Sequence, residues 1–394
     1  MRGGRAPAAR PLVPAAQQDV SSSAQLTPTR SPPRPVSRPR PVSRPTLADV
    51  ARTAGTSKAT VSAVLNDSGP VSPELRLRVL NALEAHNYRP TRGPHPRGPG
   101  ALATGTGRSL GVLVKELDNP YFAGVIAGVR AHSDAHGYAL LVASSERDPE
   151  AERRAAALLT AGDVAGLIVT PVLDEEADLS HLFELKRRQV PFVLLGGIRG
   201  VPASLVGVDN LTAARAAGEH LVAQGYTHIV HFAGPTGSTQ AGERVDGIRR
   251  ACSAARVPFT DADVIPAGAH LEDGYRAALD YFRALPDAER PGVGRPLAVT
   301  CFNDLVAVGV CRALAELGLR VPGDVAVVGY DDIPLLEYLP VPLTTVRVPT
   351  IEMGRLAAEL LLRHVEEGAG VSTQKIYLDA ELVVRGSTPP VGAA

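Results

Sequence analysis

The chain lacks most of the features that would make it an enzyme, a secreted protein or a membrane protein. Its 394 residues contain no run of about eighteen apolar side chains, so no membrane-spanning helix is expected. The N-terminus carries arginines and prolines without an apolar stretch, which argues against a secretion signal and for a cytoplasmic protein. Cysteine is scarce: Cys252, Cys301 and Cys311 are odd in number and lack metal-ligand spacing. They read as small apolar groups in a reducing compartment, and no cofactor or metal is expected. A G-x-S-x-G elbow, a P-loop and an H-E-x-x-H pair are all missing, and the GTGRS stretch precedes a strand where a dinucleotide fingerprint would follow one. His228, His231 and His270 are scattered and read as structural or exposed. An enzyme is therefore not expected.

The net charge of zero hides an asymmetry. Residues 1–97 hold 15 Lys and Arg against 5 Asp and Glu, a net of +10, which leaves −10 for the remainder. Polyanion binding is thereby directed to one end of the molecule. Residues 1–45, with a repeated PVSRP unit, have too little apolar content for a core and read as a disordered Arg/Pro-rich extension. Two readings of it stay open: added non-specific DNA affinity through Arg34, Arg38, Arg40 and Arg44, or an inert extension.

The basic end also contains three short helices between Thr46 and Pro90. Thr46 with Asp49 three residues on forms a carboxylate variant of the capping box, followed by Leu47, Val50, Ala51 and Ala54 at helical spacing. Gly55 ends that helix. Ser57 caps a second, from about Lys58 to Leu65, with Val61, Val64 and Leu65 inward and Asn66 as C-cap. Ser72 caps a third, with Pro73 at its first position and Leu75, Val79, Leu80 and Leu83 as its buried stripe. Two helices joined by a tight glycine-containing turn make a helix-turn-helix, whose second helix enters the major groove. Its outward face carries Lys58, Ala59, Thr60, Ser62 and Ala63. The hydroxyls of Ser57, Thr60 and Ser62 and the Lys58 charge suit phosphates, whereas Ala59 and Ala63 offer only methyl groups to base edges. An ordinary helical hairpin with a polar face is the competing reading.

Residues 91–109, TRGPHPRGPGALATGTGRS, are full of helix breakers and read as a linker. From residue 110 to about 390, short apolar strands (LGVLV, YALLVAS, GLIVTPV, PFVLLG, LVGVD, HIVHFAG, ADVIPAG, PLAVTCFND, VAVVGYDD) alternate with amphipathic helices. That rhythm predicts two α/β lobes with parallel buried strands covered by helices. Ligands in such sheets sit beyond the carboxyl ends of the strands. The positions to inspect are then Asp118 to Phe122, Asp209 and Asn210, Gly234 to Arg244, Asn303 and Asp304, and Asp331 and Asp332.

The stretch DVARTAGTSKATVSAVLNDSGPVSPELRLRVLNALEAHNYRP resembles the headpiece of the LacI/GalR family of bacterial transcriptional regulators. DNPYFAGVIAGV, VGVDN, FAGPTGSTQAGERVDGI, CFNDLVAVGV, VPGDVAVVGYDDIP and PLTTVRVP are similar to its core, and together the likeness covers residues 46 to 388. The resemblance implies a type I periplasmic-binding-protein fold for the body. It implies that Ser57, Lys58, Ala59 and Thr60 open the recognition helix, that Asn66 contacts the DNA backbone, and that Thr46, Leu47 and Ser62 belong to the DNA-facing set. The family usually has arginine at the Ala63 position, so the commonest guanine-reading group is missing here. Leu102 falls at the position of a minor-groove wedge on a hinge helix, although prolines interrupt that segment. The resemblance further implies that Asn119, Tyr121, Phe122, Asp209, Arg244 and Asp304 face an effector, with Ser238 and Gln240 in the loop that sets its identity. Bland readings compete: Asn119 and Pro120 as a helix cap with Tyr121 and Phe122 as core, Arg244 as a surface ion pair with Glu243 or Asp246, Asp304 as an N-cap. Asp331 and Asp332 read as loop and interlobe structure.

The function expected is a nucleoid-associated regulator, commonly a repressor, that binds double-stranded operator DNA under control of a sugar or nucleoside effector. With no leucine heptad after Thr388, a homodimer is the default. The alternative is a periplasmic-type solute-binding protein without a regulatory role, which would leave the helix-turn-helix unexplained.

Overall fold

The computed structural model describes residues 46–66, 71–86, 108–162, 164–172, 178–198, 200–286, 290–292, 296–368 and 371–392, with the side chains of Asn66 and Glu84 left aside. The expected disordered extension and the linker with Leu102 lie outside these residues. The chain divides into two compact units, one within residues 1–99 and one within 100–394.

The first unit contains α1 (Leu47–Ala54), α2 (Lys58–Asn66) and α3 (Pro73–Ala85). Each starts at a polar residue that meets helix N–H groups or closes the first turn. The Thr46 amide and hydroxyl both donate to Asp49 Oδ2, at 2.9 and 2.6 Å, the reach-back half of the capping box. Ser57 Oγ accepts from the Thr60 amide at 3.1 Å and Ser72 Oγ from the Leu75 amide at 3.4 Å. Gly55 ends α1 in the left-handed region at φ +62°, and Arg78 of α3 donates to the Ala54 and Gly55 carbonyls across the turn. Val50, Ala51, Ala54, Val61, Val64, Val79 and Ala82 form the core. The stripe of α3 differs from expectation. Leu80 is 50% exposed and Ala82 takes the inward place, because positions 75, 79 and 82 share one face at 3.6 residues per turn while 80 stands about 100° away.

The second unit runs β1 (Arg108–Val114), α4 (Pro120–Ala135), β2 (Tyr138–Ser144), α5 (Pro149–Ala161), β3 (Val164–Val169), α6 (Ser180–Arg187), β4 (Phe192–Leu195) and β5 (Ser204–Val208). Then come α7 (Asn210–Ala223), β6 (Ile229–Ala233), α8 (Thr239–Ala255), β7 (Val264–Pro266), α9 (Leu271–Ala284), β8 (Leu297–Cys301), α10 (Asp304–Glu316) and β9 (Val325–Val328). β10 (Thr345–Arg347), α11 (Thr350–Glu367), β11 (Lys375–Leu378) and β12 (Glu381–Val383) close the chain. Two parallel sheets result, ordered β11-β5-β4-β3-β1-β2 and β7-β6-β8-β9, with β10 and β12 paired antiparallel. This is the two-lobed, type I periplasmic-binding-protein-like architecture expected. Central strands such as β4, β5, β6 and β8 are buried at every residue, as sheets covered on both faces require. β2 departs from the buried strand expected: it is the sheet edge, and Leu141 and Val142 are each 40% exposed.

The expected elements end at Asp332, and the structure adds α6, α11 and β10 to β12. After building the second sheet the chain returns to the first lobe, where α11 packs on α4 and β11 pairs with β5. Glycine permits the helix contact. A Cβ at Gly128 would meet the Ile351 carbonyl oxygen, and one at Gly354 the Val125 carbonyl oxygen. All three cysteines are free; Cys252 and Cys301 are buried, as expected of small apolar groups, and Cys311 is half-buried. Among the described residues no helix is long and apolar enough to cross a membrane.

Candidate functional site

In the first unit Ser57, just before α2, and Lys58 and Ala59 on it are exposed and Thr60, Ser62 and Ala63 half-buried, while Val61 and Val64 face the core. Ser57 Oγ lies 2.9 Å from Thr60 Oγ1. The sequence thus places short polar and methyl side chains on one helix face and nothing bulky that would hold it off a groove. Asn66 closes α2; Thr46 is exposed and Leu47 half-buried.

In the second unit a cavity of ≈ 210 Å³ lies where the carboxyl ends of both sheets meet. Asn119 follows β1 and caps α4, its Oδ1 accepting from the Tyr121 amide at 3.0 Å and its Nδ2 donating to Glu116 at 3.4 Å. The cap and the ligand-facing readings of Asn119 are compatible, because the residue also lines the cavity. Tyr121 and Phe122 line it too, edge to face with centroids 5.0 Å apart, and burial pushes the Tyr121 phenol up.

Arg244 projects from α8 and is 7% exposed, so the surface ion pair is ruled out. Its Nε donates to Asn210 Oδ1 at 3.2 Å, Nη1 donates to the Phe302 carbonyl, and its plane stacks on Tyr330. Ser238 caps α8 through the Ala241 amide, and with Gln240 it completes the second lobe's share of the lining.

Two expected ligand contacts stand elsewhere. Asp304 is fully buried and absent from the lining: Oδ1 accepts from Thr345 Oγ1 at 2.7 Å and Oδ2 from the Ile333 amide at 2.9 Å. Burial raises its carboxyl to about 6 against those hydrogen bonds. Its two oxygens therefore hold the β10 and Ile333 segments. Asp209 is exposed and caps α7, accepting from the Thr212 amide and hydroxyl at 3.0 and 2.7 Å. Its neighbour Asn210 turns inward to Arg244 instead.

Several lining residues were not among those singled out from the sequence. Lys115 follows β1, Arg147 follows β2, and Thr170 and Val172 follow β3. The strand-end rule covers all four, but the inspected positions began three residues beyond Lys115 and included none after β2 or β3. Thr170 Oγ1 is buried with no hydrogen-bond partner among the described residues, a cost that a ligand hydroxyl or carbonyl would remove. Asp331 also lines the cavity, at φ +119°, a backbone region that favours glycine. Its burial raises the carboxyl well above the ordinary range, against the pull of Arg244. Asp332 keeps the structural role expected, pairing with Arg347 and Arg385 at 2.7 Å each. His231 is buried on β6 with Nδ1 2.9 Å from Thr300 Oγ1, and burial lowers it to about 3; His228 is exposed.

Two family models match the chain: bacterial regulatory proteins of the lacI family over residues 46–91, and a periplasmic binding protein-like domain over 219–388. It is 30% identical over 348 residues to the HTH-type transcriptional regulator DegA of Bacillus subtilis (strain 168), covering 88% of this chain and 98% of that one. Identity to the HTH-type transcriptional repressor PurR of Haemophilus influenzae (strain PittEE) is 30% over 351 residues, or 88% and 99% of the two chains. Among solved structures, the cellobiose complex of the transcriptional regulator CelR aligns with a TM-score of 0.62 at 30% identity, covering 87% of this chain and 100% of CelR. The lac repressor dimer bound to operator and the anti-inducer ONPF aligns at 0.61 and 28%, covering 88% and 100%. These full-length matches join the helix-turn-helix to the two-lobed body in one chain, which favours the regulator over a solute-binding protein of transport. The chain belongs to the lacI family of bacterial regulatory proteins and is a DNA-binding transcriptional regulator.

Proposed function

We propose that this regulator is a cytoplasmic, nucleoid-bound repressor without catalytic activity, whose operator affinity is set by a small polar ligand in the cavity. The observation that carries the reading is the convergence of Asn119, Tyr121, Ser238, Gln240 and a buried Arg244 on one cavity at the sheet ends. Its ≈ 210 Å³ lies below the ~300–1,000 Å³ of drug-sized sites, a size for a single sugar or nucleoside ring. Tyr121 and Phe122 would cover a ring face, while Arg244 would donate to ring substituents. Because both lobes contribute lining residues, a ligand that bridges them favours one lobe orientation over another, which supplies the coupling a switch needs.

On the DNA side, α2 would lie in the major groove with Ser57, Lys58, Thr60 and Ser62 on phosphates and Ala59 and Ala63 against base edges. Thr46 and Leu47 would sit at the groove margin with Asn66 on the backbone. Two chains related by a two-fold axis would read a pseudo-palindromic site, and Leu102 would enter the minor groove between them. Selection of random duplexes with the purified full chain tests the DNA arm. One palindromic sequence should be enriched, with affinity that falls steeply as salt rises; the absence of any enriched sequence would sink the reading.

A further inference from the structure

Among the described residues the cavity lining is rich in cations and poor in carboxylates. Three cations line it, Lys115 after β1, Arg147 after β2 and Arg244 on α8, against one carboxylic acid among the described residues, Asp331. Burial drives Asp331 toward its neutral form. Two other carboxylates nearby are already engaged. Glu116 pairs with Arg147 and lies 3.2 Å from His270, and Glu152 accepts from the Val172 amide at 2.5 Å and lies 2.8 Å from His181 Nε2. The acceptor that the sequence suggests, Asp304, is turned away with both oxygens bonded.

Lys115 is the sharpest feature. It is 9% exposed, and its ammonium makes no hydrogen bond or ion pair with any described residue. Its proton is held weakly, at about 8, because of burial and the repulsion of Arg147 and Arg244, which outweigh the pull of Glu152. A buried ammonium with no partner among the described residues, lining one cavity with two guanidinium groups, favours a negative group beside it. The main chain fixes the arrangement, since the Arg147 amide donates to the Lys115 carbonyl at 3.2 Å. Neutral hydroxyls can accept hydrogen bonds from these groups but bring no counter-charge to Lys115.

We propose that the regulatory ligand carries an oxyanion, a carboxylate or a phosphate, seated among Lys115, Arg147 and Arg244: a sugar acid or a sugar phosphate, not a neutral sugar or nucleoside. This rests on the ligand-controlled reading above and narrows the chemical class of its ligand. The fork geometry of two arginines suits both planar carboxylate and tetrahedral phosphate, and the lysine adds a point charge.

The test uses the full chain and calorimetric titration with matched sets: glucose, gluconate, glucuronate and glucose 6-phosphate, the ribose equivalents, adenosine, and inorganic phosphate alone. At least one anionic member should bind at least about tenfold more tightly than its neutral parent, and added salt should erode the difference. Comparison of acids with phosphoesters distinguishes the two oxyanions. Lys115→Met should remove the preference, and Lys115→Arg should restore part of it, which separates charge from fold. A panel in which every neutral parent binds as tightly as its anionic counterparts overturns the proposal. So does a panel in which no anion, inorganic phosphate included, binds wild type better than Lys115→Met. Operator binding measured in parallel keeps the two ideas apart. A neutral ligand that releases operator leaves the regulator standing and removes the oxyanion, whereas an anion that binds the cavity without moving operator affinity does the reverse.

Discussion

The Arg244 guanidinium lies 3.5 Å from the centroid of the Tyr330 ring, a stack that fixes the one cation reaching the cavity from α8. Phe302 stands at 4.7 Å, its carbonyl accepting from Nη1, and Asn210 accepts from Nε. Lysine could keep the charge but neither the fork nor the stack. Arg244→Lys should weaken a cavity ligand by roughly 10- to 100-fold, from the ~1.5–3 kcal/mol of a charged hydrogen bond. Titration calorimetry checks it, and an unchanged affinity would place the ligand elsewhere.

The crossing of α4 and α11 makes a stability prediction. Gly128→Ala and Gly354→Ala each force a methyl against a backbone carbonyl, of Ile351 and Val125, which cannot yield as a flexible side chain would. Overpacking of this kind costs about 1–3 kcal/mol, and more where backbone must move. Denaturant melts should show both variants shifted to lower midpoints; a midpoint at or above wild type would mean that the helices separate freely.

His231 sets an acid limit. Burial lowers its folded-state value to about 3 from 6.5, so the unfolded chain takes up the proton first as pH falls. This residue's stability contribution is present above pH 6.5 and is lost between 6.5 and about 3, up to roughly 5 kcal/mol. His231→Phe, which cannot titrate, should give up the Thr300 contact at neutral pH yet lose less stability between pH 7 and 4.5 than wild type. Equal losses in the two proteins would assign the acid sensitivity to other groups.

What was legible in the sequence follows from what is local. The caps at Thr46, Ser57 and Ser72 and the glycine at 55 act within a few residues, so the three helices could be read almost to their ends. Apolar runs gave the strands of both sheets for the same reason. The return of β11 to β5 was not legible, since KIYL has no distinguishing pattern and its partner lies about 170 residues away. The cavity was half legible: Asn119, Gln240 and Arg244, singled out in the sequence, line it. Lys115, Arg147, Thr170 and Asp331 come from four separate strand ends, and only the closed fold brings them together. Asp304 misled because a carboxylate after a strand is equally suited to holding a neighbouring loop, and Thr345 and the Ile333 amide, far along the chain, decide which.

On α2, the helix proposed to enter the groove, Lys58 is exposed and carries that face's positive charge. If it meets a phosphate, Lys58→Gln should weaken binding about equally for operator and random DNA and reduce the salt slope by about one. Filter or anisotropy titrations over a range of salt read this directly. A loss confined to the operator would instead make Lys58 a base-reading group.

Coupling between the cavity and operator binding is what the proposed function requires above all. Fluorescence anisotropy of the selected operator, titrated with the full chain with and without a saturating cavity ligand, measures the coupling in one experiment. The operator Kd should move by about 5- to 150-fold, with a much reduced shift in Arg244→Lys at the same ligand concentration. An operator Kd that stays the same while calorimetry shows the cavity filled would contradict it.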